Sequence, residues 1–146
     1  MNVIVRAIEY GSKDYDAEVK LRDEILRKPL GLKFSQDDLA AESHYSYLHF
    51  GAFKGSDLLG TMQLVKINEQ ELKMRQVAVS SLVQGQGVGR VLVEFAEHYA
   101  KANRFQSIIL HARDTAIPFY DKLGYLTISE IFKEVGIPHR KMQKLL

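Results

Sequence analysis

The sequence contains no cysteine, no tryptophan and only three prolines among its 146 residues. Without cysteine there is no disulfide bond, no thiolate metal site and no cysteine nucleophile, so covalent catalysis loses its best candidate. Long apolar runs are missing too, since no stretch approaches the roughly 20 residues that a bilayer demands. The N-terminus also lacks a basic segment followed by a long apolar one. These absences predict a cytoplasmic protein with no membrane partner.

Neither sign of charge predominates, because the formal net charge is only +2. Basic residues concentrate modestly near the end, at Lys133 and in the segment 139–144. That concentration would suit a phosphorylated small molecule, but it is also what an ordinary solvated face looks like, and we predict no nucleic-acid partner. With 46% hydrophobic and 26% charged residues, the composition is globular. We expect one domain covering residues 1–146 and no metal.

Hydrophobic periodicity divides the chain into alternating strands and helices. In the first half we predict a strand at 3–9, a helix at 15–28 capped by Ser12, a short helix at 36–43 capped by Ser35, and strands at 47–53, 58–67 and 71–79. In the second half we predict an amphipathic helix from Val88, a buried strand at 107–110, a helix at 115–123, and closing strands at 126–132 and 138–145. Turn signals and a crossover helix indicate an α/β domain with a mixed sheet.

The strand at 71–79 carries an irregularity. Its apolar residues alternate at Leu72 and Met74 and resume one residue out of phase at Val77 and Val79. Side chains alternate between the two faces along a regular strand, and this alternation cannot shift by one residue within it. We therefore predict a β-bulge near residues 75–76. A bulge would leave backbone groups unpaired and available to a ligand.

A glycine-rich loop, Gln84-Gly85-Gln86-Gly87-Val88-Gly89, follows that strand and opens the amphipathic helix. Glycines allow close approach of a phosphate, and a helix start presents free amide groups with a favourable dipole. A Walker loop would need Gly-Lys-Ser/Thr at its end, and the dinucleotide fingerprint would need a third glycine where Arg90 stands. A plain flexible turn is the remaining alternative for the loop taken alone. The pattern favours a pyrophosphate ligand over ATP or NAD.

Two motifs give the chain a family resemblance. The signature Gln/Arg-x-x-Gly-x-Gly/Ala is met by Gln84, Gly87 and Gly89, and a second, Ala-x-x-x-Tyr-x-Lys-x-Gly-Phe/Tyr, is met from Ala116 to Tyr125. In this the chain resembles the GNAT superfamily, the GCN5-related N-acetyltransferases. Segments 21–32 and 136–142 are similar to its ElaA-like branch. The resemblance implies a central, mostly antiparallel sheet of about six to seven strands with a splayed parallel pair, flanked by about four helices.

The resemblance also implies a function and its residues. The chain would be an acyltransferase that passes an acetyl group from acetyl-CoA to a primary amine of a small molecule or peptide. Tyr120 occupies the family's general-acid position, and the amide of Val79 would point at the thioester oxygen. The full set of implied coenzyme A contacts is Val77, Ala78, Val79, Gln84, Gly85, Gln86, Gly87, Val88, Gly89 and Arg90. Dimers are common in the family, so a homodimer is one option.

Other assignments are weaker in the sequence. His111 follows the buried strand and has a suitable side chain for a base, although a structural histidine would look the same. Glu24 and His44 lie in segments that line the acceptor site in relatives. Arg113 stands where many relatives have an asparagine, and we expect it to bind the cofactor or to reach a phosphate or an acidic acceptor. A non-catalytic coenzyme A-binding or sensing module is the alternative function.

Overall fold

The fold comes from a computed structural model that describes residues 2–34 and 36–146. The strands are β1 (Ile4–Ile8), β2 (Tyr47–Lys54), β3 (Asp57–Lys66), β4 (Glu71–Val79), β5 (Ser107–Arg113), β6 (Leu126–Thr127), β7 (Phe132–Glu134) and β8 (Ile137–Leu145). The helices are α1 (Lys13–Arg22), α2 (Gln36–Ala41), α3 (Val88–Ala102) and α4 (Ile117–Lys122). A π-helical turn (Asp23–Arg27) and two 3-10 turns (Lys28–Leu30 and Asp114–Ala116) complete the elements.

All eight strands form one mixed sheet in the order β1-β2-β3-β4-β5-β8-β6, with β7 also paired to β8. Every pairing is antiparallel except that of β4 with β5, which is parallel and runs only from Glu71 opposite Ser107 to Met74 opposite Leu110. The predicted fold class is therefore confirmed, with eight strands instead of six to seven.

The extra strand arises because the predicted strand at 126–132 was wrong in its interior. It consists of two short strands, β6 and β7, which both pair with β8. Between them, the Ser129 hydroxyl oxygen accepts a hydrogen bond from the Lys141 amide at 2.8 Å. A side chain thus takes the donor that a regular ladder would use, and the strand is interrupted.

Helix α3 packs its apolar stripe on one face of the sheet, as its periodicity predicts. Leu92, Val93 and Ala96 are fully buried there, against sheet residues such as Leu64 and Ile108. Within the described residues, no helix combines the length and apolarity needed to span a bilayer. Because its apolar stripe is buried, α3 is held at the centre of the sheet, with its N-terminus beside the end of β4.

The predicted bulge in β4 is present. Thr61 pairs with Ala78 and Gln63 pairs with Arg75, so one residue of β3 stands opposite two residues of β4. Gln76 takes the extra position with φ of 54°, which is uncommon for a residue other than glycine. Beyond Met74, β4 and β5 no longer pair, and the two strands separate.

The first helix differs from the prediction at its C-terminal half. Its predicted cap is confirmed, because the Ser12 hydroxyl accepts a hydrogen bond from the Tyr15 amide at 3.1 Å, although the helix begins at Lys13 instead of residue 15. The α-helix ends at Arg22, however, and continues as the π-helical turn and then as the 3-10 turn that contains Pro29. A π-helical turn inserts a residue and rotates those that follow. The second predicted cap, Ser35, lies outside the described residues.

Candidate active site

A cleft of about 330 Å³ opens where β4 and β5 separate. Strand alternation places Met74, Leu110 and Ala112 on the face that carries α3, and Lys73 and His111 on the opposite face. The cleft is lined by residues from both faces. They are Leu26, Arg27, Lys73, Met74, Arg75, Gln76, Val77, Leu110, His111, Ala112, Arg113, Ala116, Tyr120, Glu134, Val135 and His139. It therefore passes through the sheet, from α4 on one side to the π-helical turn on the other.

The unpaired edge of β4 provides backbone groups along this cleft. From Arg75 to Val79 that edge has no strand partner on the β5 side within the described residues. Val77 lines the cleft, and Ala78 is buried beside it. An extended ligand can form hydrogen bonds to such an edge as an added strand would.

The glycine-rich loop lies at the end of β4 and leads directly into α3. Gly85 and Gly87 have φ of 79° and 90°, and a Cβ added to either would meet no atom within 4 Å. The side-chain amide of Gln84 donates a hydrogen bond to the Val79 carbonyl at 3.1 Å and ties the loop to the strand. With the first amides of α3 left unpaired by helix geometry, the loop fits a phosphate. The residues present therefore suit the diphosphate of coenzyme A.

Gly89 has a packing role as well as a place in the loop. A Cβ on Gly89 would lie 3.2 Å from Cζ of Phe119 in α4. Its absence allows α4 to approach the start of α3 closely, which brings the neighbouring Tyr120 to the cleft. Arg90 is exposed and pairs with Glu94 at 2.9 Å, so its guanidinium lies at the surface next to the loop.

Tyr120 lines the cleft while remaining only 7% exposed. Its ring packs edge-on against Tyr125, with centroids 5.8 Å apart. Burial raises the pKa of the Tyr120 phenol above its ordinary value, because the phenolate would lose solvation. Tyr120 is therefore held as a neutral proton donor at the point where the sheet opens.

His111 lies on the opposite face and is the centre of a polar group of side chains. Its Nδ1 is 2.9 Å from Oε1 of Glu134 and 3.5 Å from Nζ of Lys73. The other carboxylate oxygen of Glu134 lies 3.6 Å from Nε2 of His139, whose Nδ1 is 2.8 Å from the Ile137 carbonyl oxygen. A carboxylate at Nδ1 favours the tautomer with its proton there. Nε2 of His111 is then left with its lone pair.

Sequence reasoning missed Glu134, which it placed only in a turn between the closing strands. Residue Val135 has φ of 47° and Gly136 has φ of 76°, the pair of positive angles typical of a tight hairpin. Glu134 is the last residue of β7 and pairs with Ile137 across that turn. The only sequence signal was an acidic residue next to the hairpin turn.

Positive charge dominates the electrostatics of the cleft. Burial would raise the pKa of Glu134, but the hydrogen bond and charge of His111, with the charges of His139 and Lys73, lower it overall. Burial lowers the pKa of Lys73, and the charge of Arg75 lowers it further. Burial and the charge of Arg27 likewise lower the pKa of Arg113. The carboxylate of Glu134 is thus kept ionised among cations.

The two residues predicted to bind the acceptor lie elsewhere. Glu24 is exposed on the π-helical turn, and its neighbours Leu26 and Arg27 face the cleft instead, because the turn rotates the chain. His44 is exposed and bonds locally, with Nδ1 2.7 Å from the Ser46 hydroxyl. Arg113 lines the cleft, where it donates a hydrogen bond to the Leu26 carbonyl at 2.7 Å. The structure therefore brings Arg113, but not Glu24 or His44, to the site.

A second polar cluster lies under α1 and α2, away from the cleft. Arg22 bonds Glu18 at 2.8 Å and Glu42 at 2.6 Å, and Nδ1 of His49 lies 3.1 Å from Glu18. Ligand atoms of Glu18, Glu42 and His49 lie within 4.8 Å of one another, as a metal site would require. Arg22 already takes the place of a cation between these carboxylates, so the cluster reads as an internal ion-pair network.

Comparison with known proteins identifies the family. Residues 21–146 match the family described as Acetyltransferase (GNAT) domain. The chain belongs to the GNAT family. It is an N-acyltransferase. A Bacillus subtilis (strain 168) protein provisionally named as an acetyltransferase is 31% identical over 116 residues, which are 80% of this chain and 76% of that protein.

Solved GNAT structures share the fold. Escherichia coli ElaA superimposes with a TM-score of 0.79 at 19% identity, covering 98% of this chain and 99% of ElaA. A GNAT family acetyltransferase from Elizabethkingia anophelis, solved with acetyl-CoA bound, gives a TM-score of 0.74 at 18% identity over 99% of each chain. The family match over residues 21–146 confirms the predicted superfamily, and these structures share its fold.

Proposed function

We propose that this GNAT enzyme transfers the acetyl group of acetyl-CoA to a primary amine of a small molecule or peptide, with residues 1–146 acting as one domain. One observation carries the proposal: a cleft through the sheet opens at the strand that leads into the glycine-rich start of α3, with a buried tyrosine on one face and a histidine on the other. The solved GNAT acetyltransferase with bound acetyl-CoA supports the choice of donor.

The donor would lie along the free edge of β4. The diphosphate would bind the amides of the loop from Gln84 to Arg90, and the pantetheine arm would follow Val77, Ala78 and Val79. The Val79 amide would then donate to the thioester oxygen and stabilise the negative charge that develops there. This arrangement uses the backbone groups on the β5 side of β4 that are left unpaired where the two strands separate.

The acceptor amine needs to lose a proton, since an amine with a pKa of about 10.4 is only about one part in two thousand neutral at pH 7. His111 would accept that proton at Nε2, with Glu134 holding its Nδ1 proton. The amine nitrogen then attacks the thioester carbon and loses its remaining extra proton to solvent, the carbon–sulfur bond breaks, and Tyr120 donates its proton to the departing thiolate. Solvent returns the proton to Tyr120.

Amine-dependent release of free coenzyme A tests the proposal. Purified protein is incubated with acetyl-CoA and a panel of amines, and the free thiol is followed with a chromogenic disulfide. We expect release that rises with amine concentration and stops in His111→Gln, while the exposed control His98→Gln remains active. Tight binding of acetyl-CoA with no release by any amine would contradict the proposal and favour a coenzyme A-sensing module.

A further inference from the structure

We propose that the acceptor is an amine that also carries an anionic group, either a carboxylate or a phosphate. The inference rests on the proposed function, since it assigns the acceptor of that same site. It follows from the charges that line the cleft on the face opposite α3 and α4.

Four basic side chains contribute to the lining of the cleft, and among the described residues only one carboxylate does. The basic residues are Arg27, Lys73, Arg75 and Arg113, and the carboxylate is that of Glu134. A site for a simple alkylamine or a polyamine would need the opposite balance, because like charges in a cleft repel the ligand. The lining is complementary to an acceptor with a negative group.

Three of these cations form no ion pair with a carboxylate in the described part of the chain. Lys73 Nζ lies 3.5 Å from Nδ1 of His111, Arg75 donates to the Gln63 side-chain oxygen at 3.3 Å, and Arg113 donates to the Leu26 carbonyl at 2.7 Å. The fully buried Arg22, by contrast, forms ion pairs with two carboxylates. The cleft thus concentrates basic side chains, and among its described lining residues the carboxylate of Glu134 alone opposes their charge.

The lowered pKa values of Lys73 and Arg113 agree with this picture. Besides burial, each is lowered by a neighbouring cation, Arg75 and Arg27 respectively. An anionic group of the ligand among these basic side chains would relieve the repulsion between them. It would also accept charge-assisted hydrogen bonds, which are about twice as strong as neutral ones.

The phosphates of the cofactor do not account for these cations. The predicted phosphate site is the loop before α3, whereas the cations are carried by β4, β5 and the π-helical turn. Strand alternation puts Lys73 on the face opposite Met74, which packs under α3. The positive charge therefore lies on the acceptor side of the opening.

The remaining charge of the cleft fits the amine end of such a ligand. Glu134 can bind the ammonium form of the acceptor next to His111, since its Oε1 lies 2.9 Å from that ring. The basic residues can bind the anionic end. A zwitterion such as an amino acid, or a phosphorylated amine, matches both.

Matched pairs of ligands test the inference separately from turnover. One arm compares each common amino acid with its amide, and the other compares phosphoethanolamine with ethanolamine. Binding to protein saturated with coenzyme A is measured by calorimetry, and thiol release with acetyl-CoA is measured in parallel. We expect the anionic member of at least one pair to bind about 10- to 100-fold more tightly, the range set by one hydrogen bond to a charged group.

The outcomes distinguish the two proposals. Tighter binding of the anionic member without thiol release would support this inference and overturn the proposed function. Equal or tighter binding of the member that lacks the anionic group, or binding of neither, would overturn this inference whatever the turnover. Preference in the first arm alone identifies a carboxylate, and in the second arm alone a phosphate.

Variants of Arg113 assign the effect to the cleft. Arg113→Gln should weaken binding of the ligand with the anionic group about 10- to 100-fold and leave binding of its partner without that group, and of coenzyme A, unaffected. Arg113→Lys should restore part of the affinity, and Lys54→Gln, an exposed position on the β2–β3 hairpin, should change nothing. Arg75→Gln provides a second test if Arg113→Gln does not fold. Equal loss for both ligands of a pair would contradict the inference.

Discussion

At the scale of single residues, Tyr120 carries the clearest chemical prediction. Tyr120→Phe removes only the hydroxyl, so we expect kcat to fall about 100-fold, the lower end of the range for general acid catalysis. The Michaelis constant for acetyl-CoA should change little. Steady-state rates of thiol release measure both. Tyr99→Phe, on α3 and outside the cleft lining, is the control, and an unchanged kcat in Tyr120→Phe would remove Tyr120 as the acid.

The pH profile gives an independent check on the same residue. Since burial raises the pKa of Tyr120, the phenol keeps its proton above its ordinary pKa of about 10. The wild-type rate should therefore show no decline between neutral pH and about pH 10. A fall within that range, absent from Tyr120→Phe, would mean that the phenol ionises earlier and that the site is wetter than described.

Residues in a motif that fixes the backbone were predictable from the sequence, whereas a single side chain outside any motif was not. Tyr120 and the loop from Gln84 to Arg90 were predicted from motif spacing; Tyr120 lines the cleft, and the loop joins the end of β4 to α3. Glu134 was missed because a hairpin brings it back to His111 across 23 positions of the chain. No local pattern records such a return.

At the scale of elements, the start of α3 is the part most open to test. Gly87→Ala should weaken coenzyme A binding by about 10-fold or more, because its Cβ would occupy the space of the phosphate and displace charge-assisted hydrogen bonds. Isothermal calorimetry with coenzyme A measures the effect. The loss reflects the ligand space only if backbone strain is matched in a control.

Gly11→Ala is that control. Gly11 has φ of 80° and, as at Gly87, no atom within 4 Å of an added Cβ, but it lies in the turn before α1. Both variants should lose similar stability, roughly 1–2 kcal/mol for a left-handed alanine. Equal affinity for coenzyme A in the two variants would indicate that phosphate does not bind at Gly87.

Elements were predictable to the extent that their pattern was local. The phase slip in β4 predicted the bulge, and the bulge is where the two parallel strands separate. The π-helical turn was not predictable, because the apolar spacing of residues 15–28 suits a regular helix equally well. Its consequence is that Arg27 faces the cleft while Glu24 does not.

At the scale of the whole molecule, stability should depend on pH through His49. Both ring nitrogens face oxygen atoms, Nδ1 at 3.1 Å from Glu18 and Nε2 at 3.2 Å from the Glu42 carbonyl. Burial would lower the pKa of His49, but the hydrogen bond and charge of Glu18 raise it overall. The folded state therefore holds the imidazolium proton more tightly than the unfolded state does.

The sign of the effect follows from that difference. The stabilisation that His49 adds to the free energy of unfolding is fully present below its unfolded pKa of about 6.5. It is lost as pH rises through the higher folded pKa, and the free energy of unfolding then falls by at most about 1.4 kcal/mol per pH unit. Urea unfolding between pH 6 and pH 9 should show wild-type stability falling relative to His49→Gln. His98→Gln, exposed on α3, should parallel the wild type. A wild-type advantage that grew with pH would contradict the assignment.

The opening through the sheet also predicts the kinetic mechanism. In the proposed arrangement the donor and acceptor sites meet in one cleft, and the sequence has no cysteine to hold an acetyl group. Both substrates should therefore bind before either product leaves, and double-reciprocal plots at several fixed amine concentrations should intersect. Parallel lines, together with an acetylated protein that transfers its group to amine, would instead require a covalent intermediate.

The hairpin that carries Glu134 belongs to the periphery of the sheet, since β7 is three residues long and pairs with β8 alone among the described strands. The proposed donor site, by contrast, is formed by β4 and the start of α3, in the interior of the sheet. We therefore expect changes in the length or sequence of the hairpin to alter which amine is accepted, with little effect on folding or on binding of the thioester. Related chains could diversify in substrate by exchanging this peripheral segment while inheriting the interior intact.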